Sequence, residues 1–281
     1  MIRKTLKEAH MNIALVQAEA TTDKTANLQN AVSLIAQAAA EGASLVVFPE
    51  MYMALPEGNN SLAPQAERLD GPFVSTLSQS ARQHDVTVIC GIWEQAPDSS
   101  RVFNTAVVVL PNGKIAGSYR KLHLFDALSV RESARMLPGG EHPPVLDLAG
   151  MRVGLAICYD LRFPELFRNL VERGADLIVV PSAWYAGPHK EDHWLTLLRA
   201  RAIENTVYFA GVNLIGSAFA GRTSLIDPFG VITATATEGV DIVYGTLTGA
   251  RITQVRQKLP ALSHCRKDLY PTGTPKVKAG V

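Results

Sequence analysis

Val153-Gly154-Leu155-Ala156-Ile157-Cys158-Tyr159-Asp160-Leu161-Arg162-Phe163-Pro164-Glu165 is the stretch from which the rest of the chain can be read. Its first five residues are a continuous apolar run, as expected of a strand covered on both faces. Residues 152–158 are therefore expected to form a strand. Pro164 can open a helix ended by Gly174, and residues 176–181 make the next apolar strand. Cys158 falls where the buried strand gives way to a polar loop, half shielded and half presented. In that setting a thiol can act as a nucleophile rather than as packing.

The same strand–helix alternation extends in both directions. Residues 12–18 and 45–48 read as strands. Between them Thr22-Asp23 can cap a helix that runs to Glu41, with Leu28, Ala31, Val32, Leu34, Ile35 and Ala38 on one face and Gly42 as terminator. Gly71-Pro72 starts a second helix to about His84, and residues 87–90 form a short strand closed by Gly91. Residues 103–110 and 114–119 flank Pro111-Asn112-Gly113, a strong hairpin signal. A loop-rich stretch, 123–144, holds Glu132 and ends near Pro138-Gly139-Gly140; its length hints at function. Downstream come a helix at 189–205, a strand at 207–213, a second hairpin about Pro228-Phe229-Gly230, a strand at 241–247 and a helix from about Ala250. Two hairpins within this alternation favour mixed sheets flanked by helices, an α/β class. One domain is expected over 11–270, with 1–10 as an extension and 271–281 as a tail. Whether the natural start is Met1 or Met11 is left open.

At 281 residues, 47% apolar and 19% charged, the chain can bury a substantial core. A formal charge of +1, without a lysine/arginine run, gives no electrostatic reason to expect nucleic acid. The partner expected is a small molecule, with no membrane. No apolar stretch approaches the roughly 18 residues of a membrane span, and residues 1–10 lack the apolar segment of a secretory signal. Cys90, Cys158 and Cys265 are an odd number at wide spacing with no CxxC, which fits a reducing cytoplasm rather than a disulfide framework or zinc site.

Two charged groups share the placement of Cys158. Glu50 follows the apolar run 45–49, and Lys121 follows the strand-like 115–119. Taken singly, Glu50 could cap a helix and Lys121 could be solvated, whereas a base, a cation and a thiol together suggest one catalytic site. Cys90 and Cys265 read as packing. Glu204 reads as a buried partner of an arginine. His189 and His193 have the i, i+4 spacing of zinc ligands, but the H-E-x-x-H glutamate is missing and no third ligand is evident. No metal or other cofactor is expected. A catalytically silent binding protein would have no chemical need for all three of Glu50, Lys121 and Cys158.

Phe48-Pro49-Glu50, Tyr119-Arg120-Lys121-Leu122-His123 and the stretch 154–165 resemble the three signatures of the nitrilase superfamily of carbon–nitrogen hydrolases. Arg199-Ala200-Arg201-Ala202-Ile203-Glu204-Asn205 and Asp227-Pro228-Phe229-Gly230 extend the likeness, which covers residues 11 to about 270 in family order. It implies a four-layer α-β-β-α sandwich, a homodimer or higher even homo-oligomer, and a Glu50-Lys121-Cys158 triad, with Glu132 as an additional active-site glutamate. Residues 121–127 and 184–194 look most like the bacterial deaminated-glutathione amidases, and next most like omega-amidases acting on 2-oxoglutaramate. Nitriles and N-carbamoyl amino acids rank behind these as substrates.

The chemistry expected is hydrolysis of a terminal carboxamide on a small carboxylate-bearing molecule, releasing ammonia through a Cys158 thioester. Free cysteine has a pKa near ~8.5, so Lys121 is expected to favour thiolate and, with the backbone N–H of Tyr159, to stabilise the oxyanion. Glu50 would carry the proton and later activate water. Glu132 would hold Lys121 and help place the substrate nitrogen. Arg162 is a candidate carboxylate partner or else a salt bridge fixing its own loop, and Trp184, His193 and Trp194 are candidates for the pocket.

Overall fold

The computed structural model describes residues 6–266 together with 268 and 269; the expected tail lies outside them. Strand β1 (His10–Gln17) leads through helix α1 (Lys24–Ala40) to β2 (Leu45–Val47), and α2 (Pro72–His84) leads to β3 (Thr87–Gln95). β4 (Val102–Val109) and β5 (Ile115–Arg120) form the first hairpin, and β6 (Met136–Leu137) lies beside β4. The second half runs β7 (Val145–Leu148), β8 (Met151–Leu155), α3 (Pro164–Glu172), β9 (Leu177–Ser182), α4 (Lys190–Asn205) and β10 (Tyr208–Asn213). It finishes with the hairpin β11 (Ser224–Ile226) and β12 (Ile232–Thr235), then β13 (Asp241–Thr248), α5 (Gly249–Lys258) and α6 (Ala261–His264).

These strands make two mixed sheets. One has the order β13-β1-β2-β3-β4-β5 with β6 against β4, and the other β12-β11-β10-β9-β8-β7. Each has a parallel centre, β1-β2-β3 and β8-β9-β10, flanked by antiparallel strands. The period-two alternation of a strand assigns the layers. Ile13, Leu15, Leu45, Val47 and Ile89 face a core shared with Val153, Leu155 and Val179 of the second sheet. Their alternates Ala14, Val16, Val46 and Val88 meet Leu34, Ile35, Phe73 and Leu77 of α1 and α2. Phe167 of α3 and Trp194 and Leu198 of α4 cover the second sheet, so the order is helices, sheet, sheet, helices.

Local chemistry explains most element ends. Asp23 caps α1 by accepting from the N–H groups of Thr25 and Ala26. The β11–β12 turn is held by Asp227, whose Oδ1 accepts from the N–H groups of Phe229 and Val231 and whose Oδ2 accepts from Arg251. The conspicuous Asp227-Pro228-Phe229-Gly230 motif is therefore a structural turn. Three expectations need correction. Gly91 does not end β3, which continues to Gln95; it marks a close approach, since a Cβ there would lie 2.5 Å from the Pro49 carbonyl oxygen. β7 was missed, because its burial is incomplete and its pairing with β8 depends on a tight turn at Ala149-Gly150. Cys265 is exposed, not packed. Of the residues set apart as an extension, Leu6–Glu8 form a 3₁₀ turn, and His10 opens β1 opposite Thr248.

Candidate active site

Three strand exits converge. Glu50 follows β2 and Lys121 follows β5 on the first sheet, while Cys158 follows β8 on the second. Ligand sites of α/β sheets favour the carboxyl ends of parallel strands, where the backbone leaves the ladder and side chains are free to point outward. Here two such ends face one another. The Ala183 N–H, just past β9, donates to Glu50 Oε2 at 2.7 Å and so ties the sheets together at this point.

Lys121 is 1% exposed, and its Nζ lies 2.9 Å from a carboxylate oxygen of both Glu50 and Glu132. Glu50 Oε1 also accepts from Asn104 Nδ2 at 2.7 Å, so three donors fix this carboxylate. Glu132 Oε2 accepts from the Phe125 N–H at 2.7 Å. Burial alone would discharge the lysine, but the two carboxylates outweigh it and keep the ammonium protonated well above its ordinary range. Burial raises the Glu132 carboxyl above the ordinary carboxylate range, against the pull of Lys121.

Cys158 begins a 3₁₀ turn over Cys158–Arg162 and has φ 43°. A non-glycine residue in the left-handed region carries strain that its surroundings must hold. Met51, directly after Glu50, is likewise left-handed at φ 56°. Asp160 holds the Cys158 turn. Fully buried, it accepts from the Ile157 N–H at 2.9 Å, the Tyr119 hydroxyl at 2.7 Å and the His123 N–H at 3.1 Å, and it pairs with His123 Nδ1 at 2.7 Å. It therefore locks the cysteine turn to both sides of the Lys121 segment. Burial, the negative charge of Asp160 and its hydrogen bond push the Tyr119 hydroxyl far up, so Tyr119 is a neutral donor.

The Cys158 thiol corrects an expectation. Burial pushes its pKa well above the ordinary thiol range, and Glu50 adds to this. The field of Lys121 and the Ala183 N–H act the other way but do not prevail. Burial and Glu50 together therefore favour the neutral thiol over the thiolate.

Cys158, Glu50 and Glu132 line one small cavity, about 20 Å³, with Tyr159 and Phe125 on its wall. Arg162, Trp184 and Lys190 line it as well. The Arg162 guanidinium carbon lies 4.8 Å from the Trp184 ring centroid, and Lys190 Nζ lies 4.7 Å from it. Neither cation has a carboxylate partner among the described residues; desolvation, then the nearby Arg162 charge, lowers the Lys190 pKa. The salt bridge considered for Arg162 does not form. Neither His193 nor Trp194 lines the cavity: His193 contacts Arg162, Nδ1 to Nη2 3.4 Å, and Trp194 is fully buried in the core. Glu204 pairs with Arg201 at 3.2 Å but is only partly buried. Asn104, Asp160 and Lys190 were not singled out from the sequence. For Asn104 the available signal was a polar residue inside the apolar run 102–109.

An α-β-β-α sandwich whose strand exits bring a thiol, a lysine and two carboxylates together defines a class of hydrolytic enzymes. The chain belongs to the carbon–nitrogen hydrolase family: the family's sequence profile, described as Carbon-nitrogen hydrolase, matches residues 12–257. It is an amide-hydrolysing enzyme. A deaminated glutathione amidase of Escherichia coli is 39% identical over 91% of this chain and 97% of its own. The omega-amidase NIT2 of Bos taurus is 34% identical over 93% of this chain and 97% of its own. Among solved structures, the NitFhit protein of C. elegans superposes with a TM-score of 0.89 at 31% identity, covering 94% of this chain and 67% of that one. No helix among the described residues is long and apolar enough to cross a membrane.

Proposed function

We propose that this enzyme hydrolyses the amide of a 2-oxoglutaryl group, with deaminated glutathione as the preferred substrate and 2-oxoglutaramate as the second. The observation that carries this is the pair of cations without a carboxylate partner among the described residues, Arg162 and Lys190, in the wall of the Cys158 cavity. Two like charges set against the same ring and partly desolvated repel each other, and an anion between them relieves that cost. A 2-oxo acid supplies a carboxylate and an adjacent carbonyl oxygen, acceptors for a guanidinium and an ammonium. The names of the relatives point to the same acyl group.

In this mechanism Cys158 Sγ attacks the amide carbon while Glu50 takes the thiol proton. The oxyanion is stabilised by Lys121 Nζ and the Tyr159 N–H, which stands at the start of a helical turn where N–H groups lack acceptors within the turn. Glu50 returns the proton to the nitrogen as the C–N bond breaks. It then deprotonates the water that cleaves the thioester, releasing 2-oxoglutarate and restoring the thiol. Glu132 holds Lys121 in register and places the substrate nitrogen.

The leaving group differs between the two substrates. 2-Oxoglutaramate gives ammonia, as expected from the sequence, whereas deaminated glutathione is a substituted amide and gives the amine of cysteinyl-glycine. That corrects the expectation of ammonia for the preferred substrate. A homodimer in a reducing cytoplasm, and a single domain over 11–270, belong to the same proposal. The test is 2-oxoglutarate formation from each substrate on one preparation. A kcat/KM ratio above about ten, or about 1.4 kcal/mol, in favour of deaminated glutathione supports the preference. The reverse ratio makes the enzyme an omega-amidase, and silence on both removes the 2-oxoglutaryl assignment.

A further inference from the structure

Beside the catalytic cavity lies a larger groove of about 630 Å³. The two share Met51 and Tyr185, so Tyr185 stands at the passage between them. One bank of the groove is the 55–59 loop, and the other is the segment that carries Ser129, Val130, Arg131 and Arg135. Phe219 also lines it, stacked on Tyr185 with ring centroids 5.6 Å apart. Ser129, Asn59, Tyr185 and the two arginines give the otherwise apolar lining its polar groups, and it includes no aspartate or glutamate. Arg135 is committed, its Nη1 donating to the carbonyls of Gly58 at 2.8 Å and Asn60 at 3.4 Å, which pins the two banks together. Arg131 is exposed, and its side chain makes no hydrogen bond or ion pair among the described residues. Its field reaches Asp126, whose carboxylate already accepts from the N–H and hydroxyl of Ser133.

The position of the groove sets which half of the substrate it faces. Met51 and Arg131 are the chain neighbours of Glu50 and Glu132, the two carboxylates assigned to the departing nitrogen. Arg162 and Lys190, assigned to the acyl carboxylate, line the cavity but not the groove. We propose that the groove is a leaving-group subsite, which takes a short peptide-like amine ending in a carboxylate and pairs that carboxylate with Arg131. Two extended residues span at most about 7 Å, so a dipeptide leaving the cavity past Tyr185 has its carboxylate within the groove rather than beyond it. Ammonia makes no use of this surface. The subsite thus gives the enzyme a physical means of preferring a substituted amide over a primary one. The inference rests on the 2-oxoglutaryl amidase reading.

The test uses three substrates with the same acyl half: deaminated glutathione, its analogue ending in a carboxamide, and 2-oxoglutaramate. 2-Oxoglutarate formation is measured with the wild-type enzyme and with Arg131→Gln. The expected result is a kcat/KM about tenfold higher for the carboxylate-ended substrate than for its carboxamide analogue in the wild type. That preference should fall to about one in Arg131→Gln, with the loss carried by KM. A wild-type enzyme indifferent to the terminal carboxylate overturns the subsite without any need of the variant. So does an Arg131→Gln enzyme that keeps the preference, or a wild type that turns over 2-oxoglutaramate alone. Turnover of none of the three removes the underlying amidase reading and the subsite with it.

Discussion

Asp160 receives donors on every side: the Ile157 N–H, the Tyr119 hydroxyl and the His123 N–H. An amide in its place would turn an NH2 towards at least one of them. Asp160→Asn is therefore expected to cost about 2 kcal/mol or more in stability and to lower kcat by loosening the Cys158 turn. Denaturant unfolding and steady-state kinetics check this, and unchanged values of both would contradict it. The thiol makes a prediction about pH. Its pKa is raised, so the neutral form persists upward from pH 7 and no thiolate accumulates as pH rises to about 9. The thiolate absorbance difference between wild type and Cys158→Ala should stay flat across that interval; a step below pH 8 would show that Lys121 prevails over burial and Glu50. Lys190→Met should raise KM for 2-oxoglutaramate by about 10- to 100-fold, the loss of one charge-assisted hydrogen bond, with a smaller change in kcat. An unchanged KM would remove Lys190 from substrate binding. Glu50, Lys121 and Cys158 were legible in the sequence because each ends a strand-like apolar run and sits in a distinctive local pattern. Lys190 was not, because its role depends on reaching Trp184 and Phe125 from the start of α4, a tertiary fact without a local signature.

At the scale of elements, β3 shows how a sequence rule can meet a functional constraint. A glycine inside an apolar run suggests a strand end, yet Gly91 lies within β3 because the backbone after β2 crosses it at close range. A Cβ at 91 would lie 2.7 Å from the Glu50 Cα. Gly91→Ala is expected to shift the Glu50 turn and lower kcat by about 100-fold, the scale of a 1 Å misplacement, in a protein with wild-type circular dichroism. A full-rate variant would show that Glu50 tolerates the shift. The elements read correctly were those with strong local signals, such as α1 with its Asp23 cap and the β4–β5 hairpin about Asn112-Gly113. β7 has only four residues and takes its identity from pairing with β8, which no local pattern announces.

Across the whole molecule, two sheets each contribute half of the proposed chemistry. The base and cation come from one, and the thiol and the Ala183 N–H from the other. The sandwich thus brings a carboxylate and an ammonium to the same cavity as a thiol 108 residues away in sequence from the carboxylate, since Glu50 and Cys158 stand at positions 50 and 158. Alternating strands and helices made mixed sheets flanked by helices legible, and the family resemblance implied the sandwich, but neither showed which strand exits would face one another. That depends on the packing of one sheet on the other, through residues such as Leu15, Val47 and Val179. The central claim is that all of this serves covalent catalysis at Cys158. The most direct measurement is 2-oxoglutarate release from 2-oxoglutaramate by wild type and Cys158→Ala, both with native circular dichroism. A thioester route predicts a fall of about 10⁴-fold or more in kcat. A Cys158→Ala enzyme within tenfold of wild type would show that the sulfur is not the nucleophile.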